Sequence, residues 1–196
     1  DALKELANIG AGNAATALSQ LIGKDVILDV PKIILVPVEK IIDHIPKEQK
    51  IIVAVYLRIF GEIQAHGLLV FPQDKVFFLI DMLMKRKIGE TKKLGETEQS
   101  ALKEIGNIII SSYLNAIAKF IGINSVPSVP ALAIDMVEAV FETVSAEIAS
   151  SSKEALLIEN EMREETTKIY SRLFILPEED SMKKILKSLE KSIKGF

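Results

Sequence analysis

Residues 1–31 read DALKELANIGAGNAATALSQLIGKDVILDVP, and residues 100–130 read SALKEIGNIIISSYLNAIAKFIGINSVPSVP. The two stretches align without a gap at a constant offset of 99 residues. Chance similarity between two helices would keep only apolar positions, yet polar residues match as well. The identical pairs include Lys4/Lys103, Glu5/Glu104, Asn8/Asn107, Ile9/Ile108, Gly23/Gly122 and Pro31/Pro130. The sequence therefore predicts an internal repeat.

Each copy is predicted to form a long helix, three strands and a closing helix. Gly23 can provide a left-handed cap for the first helix, and Thr97 is a plausible N-cap for the second. Pro72 and Pro177 are expected to begin the closing helices. Segments rich in Val, Ile and Leu predict strands at Val26–Val36, Ile51–Phe60, Gln64–Phe71, 131–135, 155–162 and 168–176. The predicted fold is α+β, a pseudo-twofold duplication with an antiparallel sheet and long motif helices exposed on one side.

The repeat also sets the expected domain organisation. Residues 1–196 are predicted to form a single pseudo-symmetric domain, with repeat 1 at about 1–85, a charged linker at about 86–96 and repeat 2 at about 97–196. The segments LLVFP at 68–72 and LFILP at 173–177 match at an offset six residues larger, which predicts a longer internal loop in the second copy. Because Asp1 opens directly in a helical pattern, some native N-terminal residues are expected to be missing.

Composition excludes several classes of function. A net charge of −3 and a sequence pI near 5.6 give no general attraction for nucleic acid. The chain has no cysteine, which removes thiol chemistry and fits a cytoplasmic location. No apolar stretch approaches the roughly 20 residues of a membrane helix, so no membrane insertion is expected. His44 and His66, its two histidines, lie in no metal-ligand spacing, and no metal site is predicted.

Helical periodicity separates an inward from an outward face on the repeated helix. The residues predicted to face inward are Leu3, Leu6, Gly10, Ala14, Ala17, Leu18 and Leu21, with Leu102, Ile105, Ile109, Tyr113, Ala116, Ile117 and Phe120 in the second copy. Glu5 and Asn8 face outward on adjacent turns, as do Glu104 and Asn107. The next position on that face is small in both copies, Gly12 and Ser111, so that a partner's surface could approach closely.

An outward Glu or Asn is by itself ordinary helix surface. Asn is nevertheless a mediocre helix former, and its recurrence at an exposed interior position runs against propensity. A functional pair explains this better than packing, which would preserve Leu3/Leu102 and not the polar residues. The segment Gly10 to Ala15 spells a GxGxxA dinucleotide fingerprint, but it lies inside a helix without the preceding strand that this motif requires.

The spacing resembles the CheC/CheX/FliY family of chemotaxis phosphatases, whose motif is Asp or Ser, three residues, Glu, two residues, Asn, then about twenty-two residues and Pro. Both copies fit, with Asp1, Glu5, Asn8 and Pro31 in the first and Ser100, Glu104, Asn107 and Pro130 in the second. The segment ELANIGAGNAATALSQLIG looks like the CheC branch in particular. Two complete motifs favour that branch over CheX, and the length leaves no room for the extra domain of FliY.

The resemblance implies that the chain hydrolyses the aspartyl phosphate of a CheY-type response regulator. Asn8 and Asn107 would orient the attacking water, and Glu5 and Glu104 would dock the receiver's lysine, with a general-base role for Glu as the alternative. No cofactor is implied for the chain itself, because Mg²⁺ would be held by the receiver. CheD deamidase is implied as a second partner. A non-enzymatic module that binds phosphorylated receivers, or a scaffold at the flagellar switch, is the rival function.

The remaining motif residues receive lesser roles. Asp1 and Ser100 are expected to orient or contact the partner. Pro31 and Pro130 are expected to be structural, ending each motif where the chain turns into a strand.

Overall fold

The computed structural model describes residues 2–148 and 151–194. The first half consists, in chain order, of α1 (Ala2–Ile22), β1 (Ile27–Pro37), a 3-10 helix (Val38–His44), β2 (Ile51–Gly61), β3 (Ala65–Pro72) and α2 (Gln73–Leu83). The second half consists of α3 (Glu96–Ile121), β4 (Ser125–Pro127), β5 (Ala131–Met136), α4 (Val137–Ile148), β6 (Glu154–Glu164), β7 (Thr167–Pro177) and α5 (Glu179–Lys194). The predicted α+β class is confirmed.

Within the described residues, the strands form one seven-stranded antiparallel sheet in the order β1-β6-β7-β3-β2-β4, and β5 also pairs with β2. The two halves meet at the centre, where β3 pairs with β7 from Ala65 opposite Pro177 to Val70 opposite Arg172. Strand β1 of the first half pairs with β6 of the second half. Strand β5 of the second half pairs with β2 of the first half. The first half therefore contributes β1 to the second half's part of the sheet, and the second half contributes β4 and β5 to the first half's part.

The sheet is covered on both faces. On one face, α1, α2, α3 and α5 pack on a large apolar cluster that includes Val53 and Val55 of β2. On the other face, the 3-10 helix and α4 pack on a smaller cluster that includes Ala54 of β2. Successive residues of a strand point to opposite faces, so the nearly unbroken apolar run of β2 reflects burial on both sides. Both motif helices thus lie on the same side of one sheet.

The ends of the motif helices were predicted in part. Gly23 and Gly122 adopt a φ of +77°, the left-handed conformation expected of a glycine cap. Thr97 is not the N-cap of α3, because the helix begins earlier, at Glu96, after Gly95. There the Glu98 carboxylate accepts a hydrogen bond from the Gly95 N–H at 3.0 Å, so a carboxylate one turn inside the helix caps its start.

The closing helices and the region before β6 also differ from the prediction. Pro72 is the N-cap of α2, and Pro177 ends β7 two residues before α5 begins. The longer loop expected in the second copy contains helix α4, where the first half has only the 3-10 helix. No helix among the described residues is both long and apolar enough to cross a membrane.

A buried carboxylate fixes the connection between the halves. Asp81 of α2 accepts backbone hydrogen bonds from Gly89, Glu90 and Thr91 at 2.7 to 3.1 Å. Burial by itself raises the pKa of Asp81, but the hydrogen bonds from the 89–91 segment outweigh it and hold that pKa below its usual value. The linker is consequently tied to α2 by a charged residue that is fully buried.

Candidate functional site

The two motif helices pack closely because glycines stand at their contacts. A Cβ atom on Gly10 of α1 would lie 2.5 Å from Cδ1 of Tyr113 on α3. A Cβ on Gly106 of α3 would overlap the side chain of Val55 in the sheet. Neither position can carry a side chain without displacing its neighbour. The two glycines therefore determine how closely α1 approaches α3 and how closely α3 approaches the sheet. Each of these glycines lies within two residues of a motif asparagine.

A buried tyrosine links the helices to the sheet beneath them. The Tyr113 ring packs against Gly10, and its hydroxyl donates a hydrogen bond to Oδ1 of Asn160 in β6. Burial raises the pKa of the Tyr113 phenol, which stays a neutral donor. This tyrosine of α3 therefore contacts both α1 and strand β6.

The first pair lies in an open surface depression on α1. Glu5 and Asn8 are both exposed, as predicted, and they line the depression together with Lys4 and Ile9. The Ile9 side chain is 47% exposed, so it offers apolar surface beside the polar pair. The depression thus combines a cation, a carboxylate, an amide and an apolar side chain.

The second pair is similar but not identical in its surroundings. Glu104 is exposed, whereas Asn107 is half-buried on α3. The Ser111 hydroxyl donates a hydrogen bond to Oδ1 of Asn107 at 3.3 Å. In the first copy this position is Gly12, which has no side chain and would place a Cβ in open space. One asparagine is therefore held by a neighbour, and the other is not.

The remaining motif residues are spread over the fold. Asp1 lies outside the described residues. Ser100 is exposed on α3 one turn before Glu104. Pro130 immediately precedes β5, as expected, but Pro31 lies inside β1, where the pairing with β6 shifts register between Asp29 and Lys32. A proline fits there because an edge strand at a bulge does not need its missing N–H.

Lys4 and Ile9 were not predicted to belong to the site. Both recur identically as Lys103 and Ile108. All four residues that line the depression are thus identical in the two copies, and this could have been read from the repeat. Lys4 and Ile9 flank the outward stripe of the helix, so helical periodicity alone does not place them on it. Leu21 and Phe120 were predicted to be buried, but they are 43% and 37% exposed near the helix ends.

The site is open and has no enclosed chamber of its own. Its side chains can bind a partner and orient a water molecule. An amide offers both a hydrogen-bond donor and an acceptor, and a carboxylate offers acceptors only. Among residues 2–148 and 151–194, no group of three or more His, Cys, Asp or Glu side chains could hold a metal ion.

Comparison with known proteins gives consistent results. The model of the CheC-like family matches residues 1–35 and 98–134, which contain both Glu–Asn motifs. The CheY-P phosphatase CheC of Bacillus subtilis is 28% identical over 201 aligned residues, covering 98% of this chain and 94% of that protein.

Solved structures share the fold. The crystal structure of Thermotoga maritima FliY matches with a TM-score of 0.76 and 23% identity, covering 97% of this chain and 95% of that one. The FliM middle domain of H. pylori matches with a TM-score of 0.65 and 12% identity, covering 95% of each chain.

Proposed function

We propose that this chain is a member of the CheC-like family, whose model matches residues 1–35 and 98–134, and that it is a phosphatase that removes the phosphoryl group from the aspartyl phosphate of a CheY-type response regulator. The observation that carries the proposal is the repeated Glu–Asn pair at the surface of two helices that share one face of the sheet. The similar protein from Bacillus subtilis is named a CheY-P phosphatase and aligns along nearly the full length.

In the proposed mechanism, the amides of Asn8 and Asn107 orient the attacking water. Phosphoryl transfer through a loose transition state needs mainly an in-line nucleophile and charge stabilisation. An amide oxygen can accept a hydrogen bond from the water and fix its lone pair toward phosphorus without itself titrating. Fixing one water contributes about a hundredfold in rate, or roughly 2.7 kcal/mol, which lies within the range of positioning effects.

The carboxylates of Glu5 and Glu104 have a docking role. Each is exposed on the turn before its asparagine and can pair with a lysine that the receiver presents beside its phosphoryl group. An ion pair at this position sets the register in which the asparagine reaches the phosphorus. The general-base alternative predicts a pH dependence that follows the carboxylate, whereas docking predicts an effect on KM.

The active site is complete only in the complex. The receiver supplies the acyl phosphate, the Mg²⁺ and the lysine, and this chain supplies the amide and the carboxylate. The open depression at Glu5 and Asn8 suits such a surface, because a partner can approach it without entering a cleft. Since response regulators work in the cytoplasm, the chain is proposed to act there.

The test is the decay of receiver acyl phosphate with Asn8→Ala and Asn107→Ala combined. We expect the double variant to lose the acceleration and to keep the fold, because Asn8 is exposed and Asn107 is half-buried on the surface of a helix. Circular dichroism and the denaturation midpoint provide the control for folding. A double variant as active as wild type would refute the mechanism.

A scaffold role at the flagellar switch is the second candidate, and the 32% identity over 113 residues with a protein named flagellar motor switch phosphatase FliY, from Bacillus subtilis, favours it. A scaffold would bind the phosphorylated receiver and leave its phosphate lifetime unchanged. The same decay assay separates the two candidates, because only a phosphatase at substoichiometric concentration shortens the lifetime of all the receiver present.

We also propose CheD as a second partner, on the family resemblance. The experiment repeats the decay assay with CheD added at increasing concentration. A change in the rate constant that saturates with CheD supports the interaction, and an unchanged rate together with no complex by size-exclusion chromatography contradicts it.

A further inference from the structure

The two proposed sites differ at one position that touches a motif asparagine. On α3, the Ser111 hydroxyl is 3.3 Å from Oδ1 of Asn107 and donates a hydrogen bond to it. On α1, the equivalent residue is Gly12, and the Asn8 side chain has no hydrogen-bond partner among the described residues. Residues four apart on a helix are neighbours, so a side chain at this position is well placed to hold the asparagine.

The hydrogen bond has a defined chemical effect on the amide. It restricts rotation of the Asn107 side chain and fills one of the two lone pairs on its oxygen. The second lone pair and both N–H donors remain available to a water and a receiver. Asn107 is also half-buried, whereas Asn8 is exposed, so burial and hydrogen bonding restrict the same side chain. Asn8 has no such partner in the described part of the chain, so its side chain loses its freedom only when it aligns the attacking water in the transition state.

We propose that Ser111 is a positioning residue that pre-orients Asn107, which makes the second site faster than the first in the chemical step. The inference rests on the proposed phosphatase function and goes beyond it, because the two motifs alone predict equal sites. Pre-orientation acts on an ordering cost that is otherwise met in the transition state, so kcat changes and KM does not. We expect a difference of about three- to fivefold in kcat.

The first experiment isolates the second site in an Asn8→Ala background. Adding Ser111→Ala is expected to lower kcat about three- to fivefold at unchanged KM, because the hydroxyl is lost. Adding Ser111→Thr, which retains a hydroxyl, is expected to keep most of the rate. Equal kcat for the Ser111→Ala variant and its parent would overturn the proposal.

The reciprocal experiment isolates the first site in an Asn107→Ala background. Gly12→Ser introduces the missing hydroxyl, and Gly12→Ala is the matched control that adds a Cβ alone. A Cβ at Gly12 meets no atom within 4 Å, so both variants fit without strain. The serine variant is expected to exceed the alanine variant about three- to fivefold in kcat. Equal rates for the two variants would overturn the proposal.

A spectroscopic measurement separates this inference from the phosphatase function. In a protein with ¹⁵N-labelled asparagine, NMR relaxation of the side-chain amides should show Asn107 to be more ordered than Asn8. Ser111→Ala should lower the order of Asn107 toward that of Asn8. Equal mobility in wild type would refute the positioning role even if the chain proves to be a phosphatase. If the wild-type protein has no phosphatase activity, the proposed function is refuted, but the NMR comparison of Asn107 with Asn8 still tests the positioning role of Ser111.

Discussion

At the scale of single residues, Ile9 tests whether the depression on α1 is a docking surface. Covering an apolar side chain that is half exposed contributes about 1 kcal/mol to binding, so Ile9→Ser is expected to raise KM for the phosphorylated receiver roughly fivefold at unchanged kcat. Leu21→Ser is the matched control, because Leu21 is 43% exposed on the same helix but lies far from the depression. Equal effects of the two substitutions on KM would contradict a specific contact.

The site residues could be predicted to different extents. Glu5 and Asn8 were predicted as site residues because their repetition cannot be explained by packing, and their role stays a prediction. The difference between Asn8 and Asn107 could not be found, because it depends on a hydrogen bond and on burial that only the packed helices define. Thr97 has the right chemistry for an N-cap, but Glu98 caps the helix from inside it, and sequence alone does not rank the two.

At the scale of elements, Gly106 reports on how α3 sits on the sheet. Gly106→Ala improves helix propensity by up to about 1 kcal/mol, but the new Cβ would overlap Val55. We expect a net loss of about 1–3 kcal/mol in the free energy of unfolding, measured by urea denaturation. Gly12→Ala has the same propensity gain and open space, so it should be neutral or stabilising. A stabilised Gly106→Ala variant would mean that α3 is not held this tightly.

Buried His66 on β3, which contacts Tyr56 on β2, is expected to make stability depend on pH. Nδ1 of His66 lies 2.7 Å from the Tyr56 hydroxyl, and the histidine is buried. Burial lowers the pKa of His66, as does the nearby charge of Arg58, while Glu178 and Glu147 oppose the shift. The unfolded histidine titrates near pH 6.5, above the folded one, so the unfolded state binds the proton first as pH falls.

The free energy of unfolding should therefore decrease as pH falls below about 6.5. Above that pH the contribution of neutral, buried His66 is complete. Urea denaturation between pH 7.5 and pH 5.5 measures this effect. A His66→Gln variant should show a smaller slope of unfolding free energy against pH in this range. The same slope in the variant and in wild type would assign the dependence to other groups.

Helix α4 shows why one element escaped prediction. Its sequence, VEAVFETVSAEI, is rich in β-branched and aromatic residues, which are typical of strands. Its buried residues Val137, Val140, Phe141, Val144 and Ile148 nevertheless follow helical spacing. Composition and periodicity disagree here, and burial against the sheet decides for the helix. Strands β2 and β3 were predicted correctly, because their apolar runs are continuous and show no helical periodicity.

At the scale of the whole molecule, the crossed pairing of β1 with β6 and β5 with β2 makes the halves interdependent. In an isolated first half, β1 would have lost its β6 partner, and β3 would have lost β7. We expect fragments 1–95 and 96–196 to be unfolded separately by circular dichroism and to regain structure and activity when mixed. Cooperative unfolding of either fragment alone would contradict this.

The crossed pairing could not be predicted from the repeat. The sequence indicates two similar halves and the strands within them, because periodicity and composition are local properties. Which strand lies beside which is a long-range property, and both β1 and β5 would satisfy the same local pattern in either half. The expectation of a single domain over residues 1–196 remains a prediction, and one cooperative transition for the full chain would test it.

The order of the strands is the one that two exchanged subunits would have if the segment between α2 and α3 joined them into one polypeptide. In a homodimer, a single coding change reaches both sites at once, so the sites stay identical. In one polypeptide, each site is inherited at its own codons and can change alone. The equivalent positions 12 and 111 carry a glycine and a serine, a difference that is possible only when both halves belong to one polypeptide. The linker, whose residues 89–91 are bonded to Asp81, joins the two halves into one chain. The two proposed sites can therefore diverge in sequence although they share one sheet.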